Sequence, residues 1–255
     1  VGSEMCIRDS GYLELYDGRL RAIDAQGHKT LNDIEDEEYQ HYFYEGVEKW
    51  SYLKFPYLKH LGRDQGWNRV GPLARLNVCE GISTPLAAYE RLEFLDANQG
   101  KTCNRTMFSH WARLIELLHC AEMMKNLLED DDLHSSDLVR RGERRNEGIG
   151  IIEAPRGTLI HHYQVDEKDR ITRCNLIVST THNNEAMNQA VKWVADNEIS
   201  GKTKISENLL NKVEVAIRAY DPCLSCATHA LGKMPLEISL LDSNGNTLDV
   251  KTKHD

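Results

Sequence analysis

The segment DPCLSCATH, residues 221–229, brings two cysteines and one histidine close together near the end of the chain. A single CxxC pair such as Cys223 and Cys226 is typical of three things: a redox dithiol, half of a metal site, or two buried cysteines without chemistry. A thioredoxin-like dithiol follows a strand, whereas a helix is expected before this segment. A metal site needs about four ligands, and the chain has no second CxxC. Spacing alone therefore leaves a metal role and inert cysteines both open.

The local sequence also predicts how these side chains are positioned. Asp221 is a favoured N-cap and Pro222 suits the first helical position, so Cys223 is expected in the first turn of a helix, where free N–H groups favour a thiolate. Cys226 then lies one turn further and can share a metal with Cys223. His229 is rotated by roughly 120° from the first cysteine, which directs the imidazole toward a neighbouring site.

A second candidate segment is EAPRGTLIHHY, residues 153–163. The Pro-Arg-Gly turn would direct Arg156, an always-charged donor with fixed geometry, from a rigid loop. The alternative is a surface arginine paired with Glu153. His161 and His162 are adjacent and point to opposite sides of a strand, so they are interpreted as structural residues rather than as metal ligands.

A third candidate segment is LIVSTTHNN, residues 176–184, an apolar strand that ends in hydroxyl and amide side chains. Strand ends often carry functional residues because rigid structure positions them. The alternative is a strand followed by a helix N-terminus, which favours the same residue types. Taken alone, the segment favours that alternative.

Composition describes the background for these segments. The chain has 255 residues, 40% hydrophobic and 28% charged, which is typical of a folded globular protein. Its net charge of −9 argues against nucleic acid or an anionic membrane as the main partner, and it has no apolar run of about 18 residues. The seven cysteines include only one grouped pair, which favours a reducing cytosol over a disulfide framework. Residues 1–10 lack the features of a signal peptide and resemble a spurious leader from translated metagenomic reads, so they are expected to be non-native.

Hydrophobic periodicity and turn residues predict a mainly α fold with small β hairpins (α+β). The expected helices are 33–50, 105–130, 183–198 with an Asn N-cap, and 206–220 with a Ser N-cap; the expected hairpins are 12–27 and 236–252, and 174–180 is an expected strand. Segment 51–78 is expected to be mostly irregular and 130–150 to be a solvated loop with a surface helix.

The ordered set EAPRG, a V-x-S/T-T-x-N-like segment and DPCxxCxxH resembles the large subunit of nickel–iron hydrogenases. VGPLARLN (70–77) and WSYLKFPY (50–57) are most similar to the cytoplasmic, NAD-linked bidirectional branch. The resemblance covers residues 11–255 and corresponds to roughly the C-terminal half of that subunit, so the implied fold is that half of the large-subunit fold.

The resemblance implies a nickel bound by four cysteine thiolates, two of which bridge to an iron that carries cyanide and carbon monoxide. Cys223 would be the terminal nickel ligand and Cys226 a bridging ligand. The other two thiolates, from an R-x-C-G-x-C motif, are not in this sequence, and neither is a glutamate beside them that serves proton transfer. This chain alone is therefore expected to be inactive.

Further roles follow from the same resemblance. Arg156 matches the arginine over the metals, which binds one cyanide and can act as a base, and Thr180 matches the residue that donates to the other cyanide. Asp221 matches a carboxylate near that arginine. His229 and the backbone carbonyl of Leu176 match ligands of a nearby Mg2+.

The sequence departs from the family pattern at two positions. Ser179 stands where relatives usually have proline, and His182 stands where they usually have an aromatic residue. In this family a protease cuts after the histidine matching His229 once nickel is inserted, so residues 230–255 are expected to be a maturation extension that is absent from the mature protein.

The resemblance implies reversible heterolytic oxidation of H2 in the cytoplasm. Electrons would pass through the iron–sulfur clusters of a small subunit to a flavin-containing diaphorase that reduces NAD+. Maturation would need the C-terminal protease and nickel-insertion chaperones. Alternatives are a related hydrogenase that uses NADP or another acceptor, an H2-sensing relative, and a cysteine-poor quinone-reductase subunit, which the retained Cys223 and Cys226 argue against.

Overall fold

The computed structural model describes residues 2–7, 11–13, 18–136, 138–139, 141–224 and 236–253, with the main chain alone for 2–7 and for Tyr52. Its strands are β1 (Gly2–Ile7), β2 (Arg19–Ile23), β3 (Lys29–Ile34), β4 (Phe43–Glu48), β5 (Ser51–Leu58), β6 (Asn68–Arg69), β7 (Glu147–Ala154), β8 (Gly157–Val165), β9 (Ile171–Ile177), β10 (Leu236–Leu241) and β11 (Thr247–Lys253). Its helices are α1 (Tyr39–Tyr42), α2 (Gly62–Gly66), α3 (Pro72–Val78), α4 (Pro85–Ala97), α5 (Phe108–Leu128), α6 (Ser179–His182), α7 (Asn184–Val194) and α8 (Glu207–Arg218). None of these helices is both long and apolar enough to cross a membrane.

The described strands form four small sheets. A four-stranded sheet has the order β3-β2-β1-β6, a three-stranded sheet has the order β7-β8-β9, and β4-β5 and β10-β11 are two-stranded ribbons. All pairs are antiparallel except β1 with β6. This agrees with the prediction of a mainly helical fold with small antiparallel hairpins.

Helices α3, α4 and α5 surround one apolar core. Ala112 and Ile115 of α5, three residues apart, are both buried, as expected when one face of a helix packs inward. They share this core with Leu76 of α3 and with Phe94 of α4, whose ring packs edge-on against Trp111. The predicted long helix over 105–130 is confirmed in its position, and its buried face lies in the first half.

A second core joins the four-stranded sheet to the three-stranded sheet. Leu20 and Leu31 pack from the first sheet, and Ile151, Ile160 and Ile177 pack from the second. The second sheet therefore has one face fixed against the protein interior. The strand predicted at 174–180 is confirmed at β9, and its end leads directly into α6.

Two regions differ from the prediction. The segment 33–50 is helical only in a short 3-10 turn (Asp36–Glu38) and in α1, and it continues as β4. Segment 51–78 contains β5, α2 and α3 instead of an irregular chain. Pro56 is tolerated in β5 because a two-stranded ribbon leaves one edge of each strand without a hydrogen-bonding partner. Pro72 occupies the first turn of α3, where its missing N–H is not needed.

The chain ends follow the prediction in part. The hairpin at 236–252 is confirmed as β10 and β11. The hairpin predicted at 12–27 is wrong: β2 is a strand, but its two edges pair with β1 and β3, and Tyr12 pairs with Gly81. Residues 2–7, expected to lie outside the fold, form β1 beside β2. Segment 130–150 is largely exposed loop with one short helical turn, and its last residues begin β7.

The predicted helix caps have mixed outcomes. The Ser206 side chain accepts a hydrogen bond from the Leu209 N–H, which confirms it as the N-cap of α8. The Asn183 side chain does not cap α7. Asp221 has a φ of 50°, in the left-handed region, and its N–H donates to the Arg218 carbonyl. Asp221 therefore belongs to the C-terminal end of α8 and is not the N-cap of a following helix.

Candidate functional site

The Pro155-Arg156 turn joins β7 directly to β8. Ala154 pairs with Gly157 in the β7–β8 ladder, which leaves Pro155 and Arg156 as a two-residue turn. Gly157 has a φ of 131°, a conformation that residues with a side chain rarely adopt. The turn therefore holds the Arg156 backbone in one conformation at the end of a rigid ribbon.

Two glycines let the turn approach the start of α3. A Cβ on Gly157 would lie 2.2 Å from Cγ2 of Val70. A Cβ on Gly71 would lie 2.9 Å from the carbonyl oxygen of Arg156. The two backbones are thus in direct contact, and a side chain at either glycine would force them apart.

A buried arginine lies beneath the turn. The guanidinium of Arg75, in α3, donates to both carboxylate oxygens of Glu116 in α5, at 2.6 Å each, and to Oε2 of Glu153 in β7 at 2.7 Å. It also donates to the carbonyls of Ala154 at 3.0 Å and Pro155 at 3.3 Å. Glu153, which the sequence offered as a partner for Arg156, therefore pairs with Arg75 instead.

Helix α6 supports the turn from the side. Oγ of Ser179 donates to the Gly157 carbonyl at 2.6 Å. The side chain of Asn183 accepts from the N–H of Val70 at 3.0 Å and donates to its carbonyl at 3.3 Å. Asn183 thereby fixes the strand that precedes α3, which explains why it does not cap α7.

The side chain of Arg156 extends to Asp221. Its Nε donates to the Asp221 carbonyl at 2.7 Å and lies 3.3 Å from the carboxylate Oδ2. Both side chains are about two-fifths exposed, at 42% and 43%. Neither Nη of Arg156 hydrogen-bonds within the described residues, so these two nitrogens are available to a ligand.

Thr180 and Cys223 complete the group. The Cys223 N–H donates to Oγ1 of Thr180 at 3.1 Å. Thr180 is 4% exposed, and its hydroxyl proton has no acceptor among the described residues. The structure thus links Arg156 to Asp221 and Thr180 to Cys223, with donors on Arg156 and Thr180 that no described residue accepts from.

Of the remaining predicted ligands, the structure describes only Leu176. Leu176 lies in β9 opposite His161, three positions before Ser179. Cys226 and His229 lie outside the described residues. Within the described part, no three Cys, His, Asp or Glu side chains converge as a metal-binding group.

The two departures from the family pattern both have structural roles. Ser179 supplies the bond to Gly157 described above. His182 is 1% exposed, and burial lowers its pKa to about 3, so the imidazole is neutral. Its Nδ1 accepts from Nδ2 of Asn68 at 3.2 Å, which leaves the proton on Nε2, and its ring packs edge-on against Phe43.

The adjacent histidines are structural, as predicted. His162 is buried between the Tyr39 hydroxyl, 3.0 Å from Nδ1, and the Glu147 carboxylate, 2.7 Å from Nε2. His161, on the other face of β8, contacts Tyr163.

The bonds made by Arg75, Glu116 and Asn183 are not predicted by the sequence. Arg75 lies in the VGPLARLN segment and Asn183 in the LIVSTTHNN segment, but neither motif identifies these partners. The available signal was that Arg75 and Glu116 are charged residues inside apolar helical segments, where a buried charge needs a partner.

Comparison with known proteins gives a consistent result. The family of nickel-dependent hydrogenases matches residues 10–229. The beta subunit of the NAD-reducing hydrogenase HoxS of Cupriavidus necator is 48% identical over 98% of this chain and 52% of that protein. A protein of the F420-non-reducing hydrogenase vhc of Methanococcus voltae is 41% identical over 97% of this chain and 52% of that protein.

Solved structures show the same fold. An NAD+-reducing [NiFe]-hydrogenase in the H2-reduced state has a TM-score of 0.86 and 51% identity, covering 90% of this chain and 51% of that chain. The [NiFeSe] hydrogenase of Desulfovibrio vulgaris Hildenborough, at 20% identity over 89% of this chain and 52% of that one, shares the fold with a TM-score of 0.60. The chain spans about half the length of the curated relatives that it matches.

Proposed function

The chain belongs to the nickel-dependent hydrogenase family, and from this premise we propose that it forms part of the catalytic large subunit of a nickel–iron hydrogenase. The proposed reaction is the reversible heterolytic oxidation of H2. The observation that carries the proposal is the direct linkage of Arg156 to Asp221 and of Cys223 to Thr180 at the end of two rigid elements.

The residues present fit the metal centre that the family implies. Cys223 and Cys226 would be ligands of the nickel–iron centre. The free Nη groups of Arg156 and the free hydroxyl proton of Thr180 would each donate to a cyanide on iron, because a buried anionic ligand needs hydrogen-bond donors. His229 and the Leu176 carbonyl would bind Mg2+. When bound, such a centre supplies the electrophilic site at which H2 becomes acidic.

The chain's own residues would hold the reacting groups in place. The Asp221 carbonyl accepts from Nε of Arg156, and its carboxylate Oδ2 lies 3.3 Å from the same nitrogen, so Asp221 fixes the orientation of the guanidinium. An arginine held in this way acts as a hydrogen-bond donor of fixed geometry.

The proposed electron acceptor is NAD+, because the 48% identical relative is an NAD-reducing hydrogenase. The chain would act in the cytoplasm with a flavin-containing diaphorase and an iron–sulfur small subunit. A second candidate is a hydrogenase with another acceptor, which the 41% identity to an F420-non-reducing hydrogenase favours. The acceptor is bound by the partner subunits, so the two candidates share the same site in this chain.

We further propose that residues 230–255 are removed by a maturation protease after His229, once chaperones have inserted nickel. The family match ends at residue 229, which supports this boundary. Mass spectrometry of the subunit purified from its host, in active form, should give a C-terminus at His229. An active protein that still ends at Asp255 would rule the cleavage out.

The function is tested in the complete complex with its diaphorase and small subunit. Nickel and iron contents and H2-dependent NAD+ reduction are measured for the parent, for Arg156→Lys and for Arg144→Lys. Arg144 is an exposed arginine with an acidic partner, Asp169, and serves as the matched control. Arg156→Lys should lower turnover per nickel by roughly a hundredfold or more, as expected when a fixed donor is misplaced, with Arg144→Lys unchanged. A nickel-loaded complex without H2-dependent electron transfer would refute the proposal.

A further inference from the structure

Outside the proposed site, Arg75 is a side chain whose N–H donors all form hydrogen bonds. A guanidinium has five N–H donors. Its five hydrogen bonds go to Glu116 twice, to Glu153, and to the carbonyls of Ala154 and Pro155. No donor is left over, and the side chain is 1% exposed. A lysine could keep the charge, but its three donors lack the planar geometry that serves two carboxylates and two carbonyls together.

The carboxylates of Glu116 and Glu153 keep Arg75 in its charged form. Burial alone would lower the pKa of Arg75, but the carboxylates of Glu116 and Glu153 outweigh it and raise the pKa above its ordinary value. Oε1 of Glu153 also accepts from the Thr158 hydroxyl at 2.5 Å. Thr158 stands directly opposite Glu153 in the β7–β8 ladder, so this bond crosses the two strands next to the turn.

Such a network is not needed for stability alone. Apolar residues of similar volume often replace a buried ion pair without loss of stability, so a buried ionic network is weak evidence for a stabilising role. The network instead fixes the geometry of the β7–β8 turn. Its donors end on two consecutive carbonyls, those of Ala154 and Pro155, immediately before Arg156.

The rest of the turn is fixed by its other neighbours. The Arg156 carbonyl lies against Gly71, four residues before Arg75 in the same helical segment. The Gly157 carbonyl accepts from Ser179. Every carbonyl from Ala154 to Gly157 is therefore bonded or packed against a neighbour, while the Arg156 side chain extends to Asp221.

We propose that Arg75, together with Glu116 and Glu153, is a positioning residue that sets the height and direction of Arg156. This proposal rests on the proposed function for the identity of the ligands that Arg156 meets. Arg75 bonds to the turn at the main-chain carbonyls of Ala154 and Pro155, so it acts through the main chain of the turn.

The test compares Arg75→Lys with Arg91→Lys. Arg91, in α4, is a buried arginine of the same kind, 9% exposed, and it donates to the carbonyls of Leu76, Cys79 and Glu80 at the other end of α3. The two variants therefore disturb the same helix, but only Arg75→Lys disturbs the turn. The first measurement is amide hydrogen exchange of the 255-residue chain, which needs no metal. The second, in the assembled hydrogenase, is the infrared spectrum of the iron's diatomic ligands together with kcat and KM for H2 per nickel.

Arg75→Lys should speed amide exchange within 153–158, shift the cyanide bands, and lower kcat per nickel by roughly ten- to hundredfold with KM for H2 unchanged. Arg91→Lys should do none of these, even where it lowers the melting temperature. The proposal is overturned by an Arg75→Lys protein that is less stable but keeps the parent's exchange at 153–158, cyanide bands and kcat. If the parent has no nickel–iron spectrum, the proposed function fails, and amide exchange alone tests the positioning role of Arg75. Faster exchange at the turn in Arg75→Lys supports that role, and unchanged exchange refutes it.

Discussion

Two hairpins of this chain are held in opposite ways. The β7–β8 turn rests on a buried guanidinium, on two carboxylates and on direct backbone contact with α3. The β10–β11 hairpin is held by polar side chains near the surface, at α8 and at the loop before α8. Asp249 accepts from the Ile205 N–H at 2.7 Å, and Lys253 pairs with Glu214 and lies 3.4 Å from Asn211.

This difference separates a hairpin with buried ionic support from one held by contacts near the surface. Breaking a buried ion pair costs about 3–5 kcal/mol, whereas an exposed pair contributes about 0–1 kcal/mol. The turn that carries Arg156 is therefore costly to displace. The β10–β11 hairpin, within the proposed extension, is expected to be removable without unfolding of the remaining chain. Four measurements test this contrast.

The largest effect is expected from Arg75→Met. The change leaves the carboxylates of Glu116 and Glu153 buried without their cation, so the free energy of unfolding should fall by about 3–5 kcal/mol. Urea unfolding of the chain measures it. Lys192→Met, which removes an exposed i,i+4 pair with Asp196, is the control and should cost less than about 0.5 kcal/mol. Equal losses in the two variants would contradict the contrast.

Gly157→Ala should have the next largest effect. The new methyl group would meet Val70 at 2.2 Å in a backbone conformation that alanine rarely adopts. Strain and overpacking of this kind each cost about 1–3 kcal/mol. Gly148→Ala in the same ribbon, where the methyl group meets open space, is the matched control. Thermal unfolding should show a lower melting temperature for Gly157→Ala alone; a normal melting temperature would show that the turn can move away from α3.

A pH-dependent loss of stability is expected from His182, which lies in the fixed part. Its pKa is about 3 when folded and near 6.5 when unfolded, so the unfolded state binds the extra proton. The stability that it contributes is complete above pH 6.5 and falls by about 1.4 kcal/mol per pH unit as the pH decreases toward 3. Urea unfolding between about pH 7 and pH 5 measures the slope. His182→Gln should remove the His182 contribution to the slope of unfolding free energy against pH. Equal slopes in parent and variant would mean that the imidazole is exposed to solvent in the folded protein.

The smallest effect is expected from removing residues 236–255. The free energy of unfolding should change by less than about 1 kcal/mol, because ion pairs near the surface contribute little. The hydrogen bond from Lys253 is the main cause that lowers the pKa of Glu214, so its removal should return that pKa toward its ordinary value. Carbon-detected NMR titration of Glu214 reports this shift. A decrease of several kcal/mol would show instead that the hairpin is part of the permanent fold.

Part of this arrangement was predictable because it is local. The turn at Arg156, the strand end before Thr180 and the CxxC segment at Cys223 are short motifs with recognisable residue types. Their assembly at one place came from the family resemblance. Spacing alone left the alternatives open.

The rest depends on contacts that sequence patterns do not contain. Arg75 meets Glu116 and Glu153, which are far from it in the chain, so no local pattern connects them. The Pro and Gly residues of segment 51–78 indicate loops, although tertiary contacts place them in β5 and at the start of α3. Asp221 has the residue type of an N-cap, but its left-handed φ is set by the end of α8.

The large sequence separation between Arg75 and its partners also has a consequence for the order of folding. Its bonds span 41 residues to Glu116, 78 to Glu153 and 80 to Pro155. Contacts of such high sequence separation require large loops to close first, so they form late and slowly. During synthesis, α3 and α5 leave the ribosome before the turn that they support. A newly made chain would therefore pass through a stage with its helices formed and Arg156 still undirected, and only the completed chain would be ready to receive a metal.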